Sequence, residues 1–251
     1  MMEQAVPSAA LIQKTKIKMK LGEPILIRRF FSTAAAVVMV VLLFSTTAFA
    51  AWHFLKPGEV ADRLENPALS AAFDSEGAVN INISITSGDN IFTLFAIVSG
   101  KEISGKPYFS NYELRNDRSY VVTAIQRTDG APMPNIKENE PAPFYISPYV
   151  KGQKPWEVNA HTLGGAMAEI FADGVVYRLI EFDNITMFAD RGVYIGITDG
   201  SFPNNLAFLI DEQTGELSVN PDYDGTSILF DLPIDKSLAD PEKAQAFLDD
   251  L

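Results

Sequence analysis

Residues 79–100 read VNINISITSGDNIFTLFAIVSG. Val79, Ile81, Ile83 and Ile85 alternate with Asn80, Asn82, Ser84 and Thr86, a period of two that fits a half-buried strand and no helix. Ser87-Gly88-Asp89-Asn90 is a turn, and Ile91–Ser99 returns as a second strand that Gly100 ends. The same grammar recurs downstream. Tyr120–Arg127 is a strand closed by Asp129-Gly130, and Phe144–Pro148 is a short edge strand. Ala168–Phe171 and Val175–Phe182 flank Asp173-Gly174 as a hairpin. Ile185–Phe188 and Val193–Thr198 follow as strands, then Leu206–Ile210 and Glu216–Val219 as another hairpin. Short strands with Asp-Gly and Asn-containing turns predict an antiparallel sandwich or barrel-like domain.

Upstream, the period is helical. Pro57 suits a first helical turn, Glu59 complements the helix N-terminus, and Val60, Ala61 and Leu64 share one face until Asn66-Pro67 interrupts. A second turn of helix runs from Ala68 to Phe73. At the other end, Asp240 caps a helix with Pro241 in its first turn and Ala244, Phe247, Leu248 and Leu251 as its apolar stripe.

Further upstream still, Phe30–Phe54 reads FFSTAAAVVMVVLLFSTTAFAAWHF and contains no Lys, Arg, Asp or Glu. A hydrocarbon core needs about 20 apolar residues, so this run is long enough to span. Up to residue 55 there are six Lys and Arg (Lys14, Lys16, Lys18, Lys20, Arg28, Arg29) and two acids (Glu3, Glu23). That flank carries +4, which leaves −16 of the chain's −12 for the rest. Basic residues stay on the cytoplasmic side of a first span, so the N-terminus is expected inside and the acidic bulk outside. The expected organisation is a basic cytoplasmic tail (1–29), a transmembrane helix or signal anchor (30–55), a short helical linker (56–76) and an acidic β-rich extracytoplasmic domain (77–251). Ala48-Phe49-Ala50 before Ala51 also fits a cleavage site, so the alternative is a protein secreted after cleavage near Ala50. The expected fold class is mainly β (α+β), with one transmembrane helix and an antiparallel sandwich flanked by short helices.

Composition removes several functions. The chain has no Cys, which excludes thiolate metal sites and cysteine nucleophiles. A domain at −16 repels phosphate backbones, so no nucleic-acid partner is expected. The two histidines, His53 and His161, have no evident partner for base catalysis. No nucleophile-elbow, P-loop or zinc-protease motif occurs. The expected protein is not an enzyme and carries no cofactor. Carboxylates are abundant enough to leave a two-carboxylate hydrolase as a further reading, with no pair to nominate.

Two local patterns remain. Asn220, Asp222 and Asp224 take positions 1, 3 and 5 of a loop with Gly225 at 6 and Asp231 at 12. This approximates a calcium loop, with Asn at position 1 and Asp in place of Glu at position 12. The competing reading is an Asx-rich loop between strands. The segment 144–156 is rich in Tyr, Pro and Trp, and Tyr149 and Trp156, if exposed, would stack on a glycan or peptide.

The order of parts resembles single-pass anti-sigma-factor-like membrane proteins of Gram-positive bacteria. The resemblance covers roughly residues 30–125. It rests on the basic run to Arg28-Arg29 and on the span ending Ser45-Thr46-Thr47-Ala48-Phe49-Ala50. Gly88-Asp89-Asn90-Ile91-Phe92-Thr93-Leu94 and Tyr120-Val121-Val122 are similar to first strands of such outer domains. It implies an immunoglobulin-like extracytoplasmic domain that senses or binds an envelope ligand, and a cytoplasmic partner such as a sigma factor held through residues 1–29. That tail is short and carries no His or Cys, so the zinc-bearing module of the family is not expected. The functional expectation is a non-catalytic, membrane-anchored sensing or regulatory protein. The alternative is a secreted or wall-facing binding module for glycan or peptide.

Overall fold

The computed structural model describes residues 54–100, 118–134 and 142–251. The expected tail and all of the expected span except Phe54 and Leu55 lie outside the described residues. Among the described residues, no helix is long and apolar enough to cross a membrane.

The two early helices form where expected. In α1 (Pro57–Arg63), Glu59 Oε2 accepts from the Lys56 backbone N–H at 2.7 Å. In α2 (Pro67–Phe73), Asn66 Oδ1 accepts from Leu69 N at 3.0 Å. Each thus satisfies a backbone donor that a helix start leaves unpaired. Both helices are part of the domain. Val60, Ala61, Leu69, Ala72 and Phe73 are buried against the first sheet, so residues 57–73 are a packed layer where the sequence suggests a linker.

That first sheet has five antiparallel strands in the order β1-β2-β3-β6-β5. They are β1 (Val79–Ser87), β2 (Asn90–Ser99), β3 (Arg118–Arg127), β5 (Ala166–Ala172) and β6 (Val175–Asp183). The β5–β6 turn has Asp173 at φ 52° and Gly174 at φ 83°, the left-handed pair that a two-residue hairpin needs. A second sheet of three antiparallel strands runs β10-β7-β4, with β4 (Phe144–Val150), β7 (Val193–Asp199) and β10 (Ser227–Asp231). A two-stranded ribbon, β8 (Phe208–Ile210) with β9 (Leu217–Val219), completes the strands among the described residues.

Side-chain alternation stacks these pieces in four layers. Phe92, Leu94, Ile97, Val121, Ile125, Val176 and Ile180 of the first sheet meet Ile146, Val150, Ile195, Ile197, Ile228 and Phe230 of the second, which makes the main core. The opposite face of the first sheet, through Val98, Tyr120, Val122, Tyr177 and Leu179, packs on α1 and α2. Tyr149 and Tyr194 on the outer face of the second sheet pack on Phe208 and Leu217 of the ribbon. A bulge in β2 makes the two-sided burial work. The register with β3 slips at Phe95, so Phe95 and Ala96 both turn to the helices while Leu94 and Ile97 keep the main core. The last helix, α3 (Pro241–Asp249), is capped by Asp240 as expected, with Phe247 edge-on to Phe188 at 6.0 Å.

Two strand assignments change. Ile185–Phe188 is a 3₁₀ turn, because Asn184 Oδ1 accepts from Thr186 N at 2.9 Å and starts a helical turn in place of a strand. β10 is a strand the sequence reading left inside the calcium-like loop; Ile228 and Phe230 alternate into the core.

Candidate functional site

The first described residues are already packed against the domain. Phe54, the last residue of the uncharged run, lies edge-on to Phe95 at 5.3 Å between centroids. Leu55 N–H donates to the hydroxyl of Tyr177 at 3.0 Å. Tyr177 comes from β6 and packs among the helix-side core, and burial raises the pKa of its hydroxyl. The uncharged run therefore ends inside the domain's own packing.

The aromatic segment after β4 is held as a fixed loop. Ser147 Oγ accepts from Ala160 N at 2.8 Å, and Asn159 bonds Pro155 O, His161 N and the Tyr145 hydroxyl. Val158 and Leu163 are buried in the main core. The two aromatics singled out in the sequence separate here. Tyr149 is 1 % exposed, edge-on to Phe208 at 5.3 Å, and burial drives its hydroxyl pKa far above the ordinary value. It presents no face to a ligand. Trp156 is 47 % exposed, with Lys154 Nζ 5.7 Å from its ring centroid and Lys154 paired to Glu157 at 2.8 Å. His161 is exposed in a turn of this loop. His53 lies outside the described residues.

The calcium-like residues do not converge. Asn220 Oδ1 accepts from Asp222 N at 3.0 Å, an Asx turn, and Asn220 Nδ2 donates to Leu206 O at 2.8 Å. Asp231 sits in β10 opposite Tyr194, held there by the strand pairing. Gly225 approaches the Tyr223 hydroxyl, which donates to Asp199 Oδ1 at 2.6 Å and accepts from Asn204 Nδ2 at 2.7 Å. Among the described residues, no group of three or more His, Cys, Asp or Glu is placed to hold a metal. The physical reason is that β10 begins at Ser227 and carries Asp231 away as part of a sheet.

Titratable groups cluster at two places. Beside Tyr194, Asp231 has its pKa raised by partial burial and then by Glu216, with Lys151 opposing. Tyr194 itself is pushed up to about 12 by burial, Asp231 and Glu216. Inside the sandwich, Arg178 is fully buried. Its Nε donates to Glu169 Oε2 at 2.6 Å, Nη1 to Phe144 O and Nη2 to Ala142 O. Arg118 makes a second such clamp, to Asp183 Oδ1 at 2.8 Å, Gly164 O at 2.8 Å and Glu181 Oε1 at 3.4 Å. These arginines tie strands of the first sheet to the segments that lead into and out of the second. The sequence reading missed them. The available signal was Arg178 inside the apolar strand VVYRLIEF; Arg118, which opens β3, carried none. Both clamps face fixed protein carbonyls and carboxylates and act structurally.

No family model matches the chain, and neither a curated protein nor a solved structure matches it. Function therefore rests on the residues themselves.

Proposed function

We propose that the chain is a membrane-anchored, non-catalytic sensing or regulatory protein, with the β domain outside the cell and residues 1–29 inside. The observation that carries the reading is the join at Phe54-Leu55. Removing Phe54 from the uncharged run leaves 30–53, about 36 Å of helix at 1.5 Å per residue, which still matches a bilayer core. A span that passes directly into Phe54, packed on Phe95, and Leu55, bonded to Tyr177, would transmit reorientation of the domain with no flexible linker to absorb it. The +4 flank before residue 56 and the −16 remainder supply the topology by the positive-inside rule. The inner partner in this reading is a cytoplasmic regulator of the sigma-factor kind, bound through residues 1–29.

Crosslinking in intact host cells, followed by pull-down of the full chain, tests it. A cytoplasmic protein captured through residues 1–29 is the expected outcome, and capture of none on either side of the membrane argues against regulation. The second reading is a wall-facing binding module released at Ala50, and the exposed Trp156 with Lys154 at its ring favours it. Binding of soluble domain to wall preparations, lost in Trp156→Ala, distinguishes that reading.

A further inference from the structure

The ribbon β8–β9 covers Tyr149 and Tyr194 with one face and leaves its other face without a partner among the described residues. Leu209 projects from that outer face at 47 % exposure. The loop leading into the ribbon adds Phe202 at 71 % and Leu206 at 69 %. Leu206 is held beside the end of β9, since its carbonyl accepts from Asn220 Nδ2 and Asn220 N donates to Ala207 O. Three large apolar side chains exposed within the eight residues 202–209 mark an interaction surface.

The charge around them selects the partner. From Gly192 to Asp235 the chain has eight Asp and Glu and no Lys or Arg. Glu212, Glu216, Asp222 and Asp224 are exposed around the ribbon. Asp211 is engaged by the Gln213 and Thr214 backbone N–H groups, which hold its pKa below the ordinary carboxylate value. Lys151 acts on Asp231 at the sheet-side edge of the ribbon. Exposed apolar side chains in a stretch this acidic repel a second copy of this acidic chain and attract an apolar sequence flanked by Lys and Arg.

We propose that the outer face of the β8–β9 ribbon, with Phe202 and Leu206, is a docking site for a cationic amphipathic polypeptide segment. Phe202, Leu206 and Leu209 take its apolar side chains, and Glu212, Glu216, Asp222 and Asp224 take its lysines or arginines. The ribbon stands across two sheets from the helix layer that holds Phe54, about 30 Å at about 10 Å per layer. A ligand there does not contact the Phe54-Leu55 join. The site deepens the sensing reading by naming its ligand class and rests on that reading; locating the chain in the host cell tests the reading without any ligand, so the two fail separately.

The test is zero-length carbodiimide crosslinking of the full chain, in lipid nanodiscs, to a synthetic amphipathic peptide of Leu and Lys. A peptide of equal charge with Leu replaced by Ser serves as the comparison. The expected result is amide crosslinks concentrated on Glu212, Glu216, Asp222 and Asp224 over Asp62, Glu76 and Asp250, which are exposed as well. Yield should fall about tenfold with the Ser peptide and with Phe202→Ser/Leu206→Ser, since each apolar anchor lost removes its share of buried area. Leu209→Ser, a single change on the outward face, repeats the loss should the double variant disturb the fold. Crosslinks spread over the surface by exposure alone, equal yield with the Ser peptide, or unchanged yield in folded serine variants would each overturn the proposal.

Discussion

Arg178→Met should be among the most damaging single changes in the domain. The side chain is fully buried between the sheets, and its guanidinium supplies three bonds, to Glu169, Phe144 O and Ala142 O. Burial lowers its pKa and Glu169 opposes that shift. Methionine fills similar space and provides no donor. It leaves two carbonyl acceptors and one carboxylate without their partner. Each orphaned buried acceptor costs about 1–3 kcal/mol, and breaking a buried pair from one side about 3–5 kcal/mol. Glu169 keeps 16 % side-chain exposure and can draw water, so the loss should sit near the lower part of that range. Urea denaturation of the purified full chain, followed by near-UV circular dichroism, reads it out. Tyr120, Tyr149 and Tyr177 are buried and supply the signal. With an m-value of about 2 kcal/mol/M, the midpoint should fall by about 1.5–2 M. Adding Glu169→Leu should recover about 1–2 kcal/mol by removing the stranded carboxylate, and Arg178→Lys should fall between the parent and Arg178→Met. A loss below about 1 kcal/mol for Arg178→Met would refute the assignment of this arginine as the clamp between the sheets.

Other outcomes follow from single contacts. Gly196→Ala sets a methyl into the Tyr149 ring, 2.7 Å from Cδ2, and 3.0 Å from Phe208 Cζ; thermal denaturation should show a loss of about 1–3 kcal/mol. Thr123 Oγ1 is buried with no hydrogen-bond partner among the described residues, so Thr123→Val should stabilise by about 1 kcal/mol in the same assay. Asp231 has a folded pKa above its ordinary value, so the fold favours its neutral form. Its contribution is most favourable below the ordinary carboxylate value and is lost as pH rises through the raised one. Asp231→Asn should therefore raise Tm at neutral pH, and the difference from the parent should close as the solution is acidified past pH 4.

Much of the strand layout was legible because alternation and turn chemistry are local. VNINISITS, the Asp173-Gly174 hairpin and the Asp240-Pro241 cap each carry their own signal in a few residues. What stayed hidden depends on distant partners. The Phe95 bulge exists because the first sheet must serve two cores, and only the packing of α1 and α2 reveals the second. Tyr149 and Trp156 look alike in a Tyr-, Pro- and Trp-rich segment, yet the ribbon buries one and the Ser147 and Asn159 bonds hold the other out in solvent. The calcium-like spacing failed for the same reason, since pairing with β7 removes Asp231 from its loop. Ile185–Phe188 was ambiguous at four residues, where an Asn cap outweighs apolar character. The surface around Leu209 needed the register of the hairpin and the loop before it.

The most direct measurement is the N-terminal sequence of the mature chain in its host, taken with membrane fractionation and external protease treatment of intact cells. The account predicts a chain that retains residues 1–29, sediments with membrane, and loses its β domain to protease added outside. A soluble chain beginning at Ala51, or a β domain protected inside intact cells, would contradict it.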